Sequence, residues 1–283
     1  MLQGKTIINL TPTGMIPTKE MTEHVPVKCG EIIKDVLECY EAGVSMVHLH
    51  ARDDNGSPTW IKGKYDEIIE GIRKEAEDLV ICVSTSGRNW SEFEKRAACL
   101  ECDIDMASLT LSSLNFNKQA SINDPDMIQD LARRMKERGI KPELEAFDVG
   151  MINYAKYLGK KGLIDEPFYV NLILGNIACA QPNILNLGVM LTELRDLGQV
   201  YWSVGGVGDC QLRMNIEGML NGGGVRVGLE DNIYYDVGRT KLATNLELVS
   251  RIIDIAKHIG LEIATPNEVR ETLGLMRRAG ASV

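Results

Sequence analysis

The segment Val47-His48-Leu49-His50 carries the clearest chemical signal in this 283-residue chain. The whole sequence holds four histidines, and two of them stand two residues apart inside this apolar run. On a β-strand, side chains at i and i+2 leave the same face. Two imidazoles on one face suit a divalent cation, most often zinc; a pair of hydrogen-bonded core histidines is the alternative. Zinc asks for a third protein ligand and an open position for substrate or water. Glu230 is the best candidate for that ligand and Glu145 the second.

Glu230 lies in the second signal, Gly222-Gly223-Gly224-Val225-Arg226-Val227-Gly228-Leu229-Glu230-Asp231. An arginine inside a buried strand must be paired, and Asp231 is near enough in sequence to pair with Arg226. Held in this way, Asp231 could serve as a general base oriented by the guanidinium. The glycines admit two readings: a phosphate cradle of the kind barrels carry near their last two strands, or a tight turn into a crowded strand. Gly205-Gly206-Val207-Gly208 is an incomplete dinucleotide-loop pattern that comes late in the chain, and it reads as a strand-to-helix turn. Cys99 and Cys102 have CxxC spacing without a second pair, so they read as small apolar residues at a helix end. His24 and His258 read as surface residues, and Trp60 and Trp202 as packing residues.

Something must bring residues 48 and 231 together. Along the chain a short apolar run is followed by a helical pattern, again and again. The runs are Thr6 to Leu10, Ser45 to His50, Leu79 to Ser84, Asp105 to Leu109, Pro142 to Phe147, Phe168 to Leu174, Val200 to Val204 and Gly224 to Gly228. Gly43, Gly139, Gly159 and Gly198 stop the helices between them. Thr265-Pro266-Asn267-Glu268 opens one more helix with a capping box. Eight βα units predict one domain over residues 1–283, a (β/α)8 TIM barrel with an extra C-terminal helix; a doubly wound open sheet is the runner-up. Polar residues fall at the C-terminal ends of the runs, where such barrels keep their active sites: His48 and His50, Ser84 to Ser86, Ser108 and Thr110, Glu145, Ser203, and Arg226 with Glu230 and Asp231.

Hydrophobic residues make up 44% of the chain and charged residues 25%, which excludes disorder as the main state. The net charge of −9, without a cluster of Lys or Arg, argues against nucleic acid and anionic membranes as partners. No run is long and apolar enough for a membrane span, and no signal peptide is visible before the first strand. Seven scattered cysteines read as reduced thiols, so a cytoplasmic protein is expected.

Taken together, the motifs resemble the β-keto acid cleavage enzyme family. The matching stretches are Thr11-Pro12-Thr13-Gly14, Ala42-Gly43 through His48-Leu49-His50-Ala51-Arg52-Asp53, Val83-Ser84-Thr85-Ser86-Gly87, Met106 to Phe116, Glu145-Ala146-Phe147-Asp148, Val225 to Asn232, Ala264-Thr265-Pro266 and Leu273-Gly274-Leu275. The resemblance implies a zinc-dependent barrel, commonly a homotetramer or another homo-oligomer, that condenses a β-keto acid with acetyl-CoA by a retro-Claisen route. Acetoacetate and a new acyl-CoA would be the products. His48, His50 and Glu230 would then be the zinc ligands, and Arg226 and Asp231 the catalytic pair. Ser84, Ser108, Glu145, Thr13 and Gly87 would bind the keto acid. Members that take an amino-bearing substrate have an acidic residue just after the first Thr-Gly. Here Met15 and Ile16 follow, so an uncharged or apolar β-keto acid is expected. Gly206-Val207-Gly208-Asp209 also lacks the polar or basic character expected of a turn that meets CoA phosphates. Two other classes fit the residues without the resemblance: another metal-dependent barrel aldolase or hydrolase, and a non-catalytic metal-binding barrel.

Overall fold

In the computed structural model, which describes residues 2, 4–276 and 278, eight parallel strands close into a barrel. They are β1 (Ile8–Leu10), β2 (Met46–Leu49), β3 (Val80–Val83), β4 (Met106–Thr110), β5 (Lys141–Ala146), β6 (Phe168–Leu174), β7 (Val200–Gly206) and β8 (Gly224–Val227). Each pairs with its neighbours in chain order, and β8 closes on β1 through Val225 to Val227 against Ile8 to Leu10. The expected runs all supply strands, and these close into the barrel rather than a doubly wound open sheet. Expected span 1–283 includes Met1, Gln3, Arg277 and residues 279–283, which lie outside the described residues.

The helices α1 (Cys29–Ala42), α2 (Lys62–Arg73), α3 (Phe93–Ala97), α4 (Pro125–Glu137), α5 (Val149–Lys160), α6 (Ile184–Leu194), α7 (Gln211–Leu220) and α8 (Asn245–His258) alternate with the strands. Their starts follow from capping chemistry. Asp124 accepts from Asp126 and Met127 ahead of Pro125 in α4, and Thr244 and Glu247 make a capping box on α8.

Alternation along each strand sorts the side chains into two cores. Val47, Leu49, Ile81, Val83, Ala107 and Leu109 face outward and pack against the helices in the larger apolar cluster. Ile7, Met46, Val80, Cys82, Met106 and Tyr169 pack in a second cluster with Ala264, Val269 and Leu273. Those last residues belong to or precede α9 (Pro266–Leu273), the predicted extra helix, capped by Thr265 and Glu268. It closes the floor of the barrel. A short parallel pair, Lys5–Thr6 with Glu262–Ile263, ties it down. Arg270 of α9 is fully buried and donates to Asp105 and to the carbonyls of Asp78 and Leu79.

The phosphate-cradle reading of Gly222 to Gly224 does not survive. These residues enter β8 at its N-terminal end, on the floor side, away from Glu230 and Asp231. A Cβ on Gly223 would strike the Trp202 ring, and one on Gly224 would strike Ser203 and the Ile7 carbonyl. Close packing requires Gly223 and Gly224, and a φ of 83° favours glycine at 222.

Candidate functional site

The interior polar residues sit one layer above the floor, and strand register brings them together. His48 of β2 pairs with Cys82 of β3. Ser108 and Thr110 of β4 pair with Glu143 and Glu145 of β5, and Glu145 pairs with Asn171 of β6. Arg226 of β8 pairs with Asn9 of β1, which closes the ring.

His48 and His50 point at one another, with their Nε2 atoms 3.3 Å apart. Glu230 Oε1 lies 3.4 Å from His50 Nε2. His48 Nδ1 meets Glu143 Oε2 at 2.5 Å, so its Nδ1–H donates there and Nε2 is the nitrogen turned toward His50. Glu230 Oε2 is buried and without a hydrogen-bond partner. Two imidazole nitrogens and a carboxylate oxygen of Glu230, all within 4.8 Å of one another, are a donor set that a divalent cation would satisfy. Of the two candidates for a third donor, Glu230 is the one the fold brings beside His48 and His50. Glu145 instead accepts from Thr110 at 2.7 Å and lies 3.5 Å from Arg226.

Arg226 is 2% exposed and is shared among three carboxylates. Nε donates to Asp231 at 2.9 Å, Nη2 to Glu230 at 2.8 Å, and Nη1 reaches Glu145 at 3.5 Å. Burial, with the charge of Glu230, pushes the Asp231 carboxyl above its ordinary range even though Arg226 pulls it down. Burial raises Glu145 likewise. For Glu230, the opposing charges of Arg226 and His50 outweigh burial and hold it well below the usual carboxylate range.

The remaining predicted residues lie at the same mouth with different engagements. Ser84 is buried and lines a recess with His50, Met15, Ser86, Trp60 and Trp90. Thr13 is buried, and its Oγ1 has no partner. The next residue, Gly14, passes so close to Glu230 that a Cβ would collide with that side chain. Ser108 uses its Oγ to accept from the Thr85 amide at 3.1 Å, and so holds the β3 loop. Gly87 packs against Arg96 and the Ile122 carbonyl, where no Cβ fits, so its contribution is to the loop's path. The Val207-Gly208 turn is anchored by the Gly208 amide on the Asp231 carbonyl at 2.7 Å. Cys99 and Cys102 are buried free thiols, and Cys99 contacts the Ser84 and Arg96 carbonyls, as small interior residues do.

Sequence reasoning missed three residues here. Glu143 is wholly buried and accepts from Asn9 at 2.7 Å and Asn171 at 2.6 Å, besides His48 and the Cys82 thiol at 3.3 Å. The charge and hydrogen bond of His48 outweigh burial and hold its carboxyl below the ordinary range. Its place two residues before Glu145, on the same strand face, was the available signal. Arg52, 2% exposed, ties the β1 loop to β2 by donating to the Gly14, Pro17 and Gly56 carbonyls. Arg88, after β3, lies with its guanidinium 3.7 Å from the Phe116 ring centre.

Known proteins can now be set beside this geometry. The profile of the beta-keto acid cleavage enzyme family matches residues 5–275. The chain belongs to the β-keto acid cleavage enzyme family. A relative from Fusobacterium nucleatum subsp. nucleatum, a 3-keto-5-aminohexanoate cleavage enzyme, is 38% identical over 98% of this chain and 100% of its own. A 3-oxoadipate:acetyl-CoA acetyltransferase from Cupriavidus necator is 35% identical over 95% of this chain and 94% of its own. Among solved structures, apo ObcA superposes with a TM-score of 0.79 at 20% identity, over 89% of this chain and 66% of ObcA, and shares the barrel. The family match covers all eight strands and α9, so the residues above lie within the part that defines this β-keto acid cleavage enzyme.

Proposed function

We propose that this protein transfers acyl groups between a β-keto acid and acetyl-CoA, yielding acetoacetate and a new acyl-CoA, with a divalent cation, zinc by its donor set, held by His48, His50 and Glu230. One observation carries the reading: that donor triad and the Arg226–Asp231 pair meet at one barrel mouth. The names of the two relatives supply the substrate class. Because residues from Asn9 to Asp231 build one site, the chain is read as one functional domain. The exposed apolar side chains of Ile184, Leu185 and Val189 on α6 support a homo-oligomer.

When bound, the cation would act as a Lewis acid toward the keto acid's oxygens and make the carbon between its two carbonyl groups more acidic. Asp231 removes that proton, and Arg226 fixes its direction. The carbanion attacks the acetyl carbon, forming the new carbon–carbon bond. The CoA thiolate moves to the original keto carbon, and the older carbon–carbon bond breaks. Acyl-CoA leaves, and Asp231 returns its proton to give acetoacetate. Ser84 and Thr13 present hydroxyls at the mouth for orienting the keto acid. Met15 lines the recess beside His50, whereas Ile16 is 54% exposed. An apolar wall there favours an uncharged acyl substituent.

A panel of β-keto acids with acetyl-CoA tests this, with acetoacetate as the readout. Turnover should require both substrates. Asp231→Asn should retain the metal and lose about 10²- to 10⁴-fold in kcat. A fully active Asp231→Asn enzyme would remove the base from the reading, and acetoacetate formation without acetyl-CoA would remove acyl transfer.

A further inference from the structure

A β-keto acid brings its own carboxylate into a mouth that already holds Glu143, Glu145, Glu230 and Asp231. Arg226 cannot receive it, because three of those carboxylates already share its guanidinium. Even a divalent cation leaves these groups short of positive charge. A further cation is needed before an anion can enter a buried site.

We propose that Arg88 is the receptor for the carboxylate of the β-keto acid. The inference rests on the acyl-transfer reading and adds a binding residue to it. Arg88 follows Ser84 to Ser86 on the β3 loop, and its neighbours Ser86 and Trp90 line the recess beside His50. Its backbone is pinned at both ends: its amide donates to Ser86 Oγ at 3.3 Å, and its carbonyl accepts from the Gln119 side chain. Its guanidinium lies over Phe116, which is held edge-on by Phe147 with ring centres 5.8 Å apart. Stacking fixes the plane of the guanidinium and leaves its edge for a planar carboxylate. Nε is buried with no hydrogen-bond partner, an arrangement that carries a desolvation penalty unless a ligand answers it. Burial disfavours the Arg88 charge, while Glu230, Glu145 and Asp231 attract it from across the mouth.

The test is calorimetric titration of acetoacetate, itself a β-keto acid, into the metal-loaded protein. Arg88→Met keeps the apolar stem and should weaken acetoacetate binding about 10- to 100-fold, the worth of a charge-assisted hydrogen bond. Metal content and circular dichroism should be unchanged, and Arg88→Lys should recover part of the affinity as a point charge. In turnover, the keto-acid KM of Arg88→Met should rise while the acetyl-CoA KM stays. Wild-type affinity in Arg88→Met would overturn the proposal. So would a rise confined to the acetyl-CoA KM, which would assign Arg88 to the CoA phosphates. A wild type that binds acetoacetate but does not react with acetyl-CoA would sink acyl transfer and leave the role of Arg88 standing.

Discussion

Glu143→Gln separates the charge behind His48 from the shape of the barrel interior. The carboxylate accepts from four donors: Asn9, Asn171, His48 and Cys82. A glutamine amide accepts through one oxygen. If that oxygen stays on His48 and Cys82, the new NH2 faces the two asparagine amides. Both asparagines can turn, because Asn9 Oδ1 and Asn171 Oδ1 are buried and unpartnered and would become the acceptors. The fold should therefore hold. What is lost is the negative charge that holds the His48 Nδ1–H and would make Nε2 a more basic metal ligand. Replacing such a partner lowers metal affinity about 10- to 100-fold, roughly 1.4–2.7 kcal/mol. Competition with a chelating dye measures the affinity directly, without turnover, and thermal melts check the fold. Glu143→Ala is the contrast: it strands several buried donors at about 1–3 kcal/mol each and should destabilise the protein itself. An affinity for Glu143→Gln within about twofold of wild type would refute the argument that this carboxylate tunes the ligand.

Two predictions concern stability away from the chemistry. Burial raises the Asp35 carboxyl to about 7, against the opposing hydrogen bond from Asn245, with Glu38 raising it further and Lys19 lowering it. A raised folded pKa means that stability is fully present below the unfolded value near 3.9 and is lost as pH climbs through about 7, by up to about 4 kcal/mol. Asp35→Asn should flatten the dependence of Tm on pH across that window; parallel curves for the two proteins would contradict it. Arg270→Met should lower stability by about 3–5 kcal/mol in urea unfolding, because Asp105 and the carbonyls of Asp78, Leu79 and Met276 lose a buried partner. A loss under about 1 kcal/mol would show that Arg73 and Arg278 carry Asp105 without it.

The parts legible in the sequence are those that repetition or spacing encodes. Eight apolar runs with helices between them announce the barrel, and His48 and His50 declare a shared face through their period of two. Strand ends were less legible: Thr6, expected in the first barrel strand, pairs instead with Ile263. Glu143 escaped notice because Lys141-Pro142-Glu143-Leu144-Glu145 looks like the polar approach to a strand, and its four partners come from four other strands or loops. Arg88 escaped because a loop arginine reads as a solvated charge until Phe116, 28 positions later, is seen beneath it. Gly222 to Gly224 show the opposite error. Their composition suits phosphate binding, but which end of β8 they occupy is a property of direction, and direction puts them on the floor.

The two ends of the barrel use buried arginine in opposite ways, and the contrast bears on which of them would take a metal. At the floor, three guanidiniums, Arg73, Arg270 and Arg278, meet the two carboxylates of Asp105 and Asp103. Their charges hold the Asp105 carboxyl below its ordinary range against burial, and the cluster carries positive charge in excess. At the mouth, one guanidinium, Arg226, is divided among Glu145, Glu230 and Asp231, with Glu143 beneath, so the excess is negative. A buried negative excess is not stable by itself. It can be relieved by protonation, which matches the raised carboxyls of Glu145 and Asp231, or by a cation. A cation at His48, His50 and Glu230 would relieve it without protonating Asp231, and so would leave that carboxylate free to act as a base. The net charge of −9 then does not conflict with anionic substrates, since a bound metal and Arg88 would set the local balance at the mouth. Metal removal should then shift the pH at which Asp231 titrates upward, and a base-dependent proton exchange measured with and without chelator should move with it.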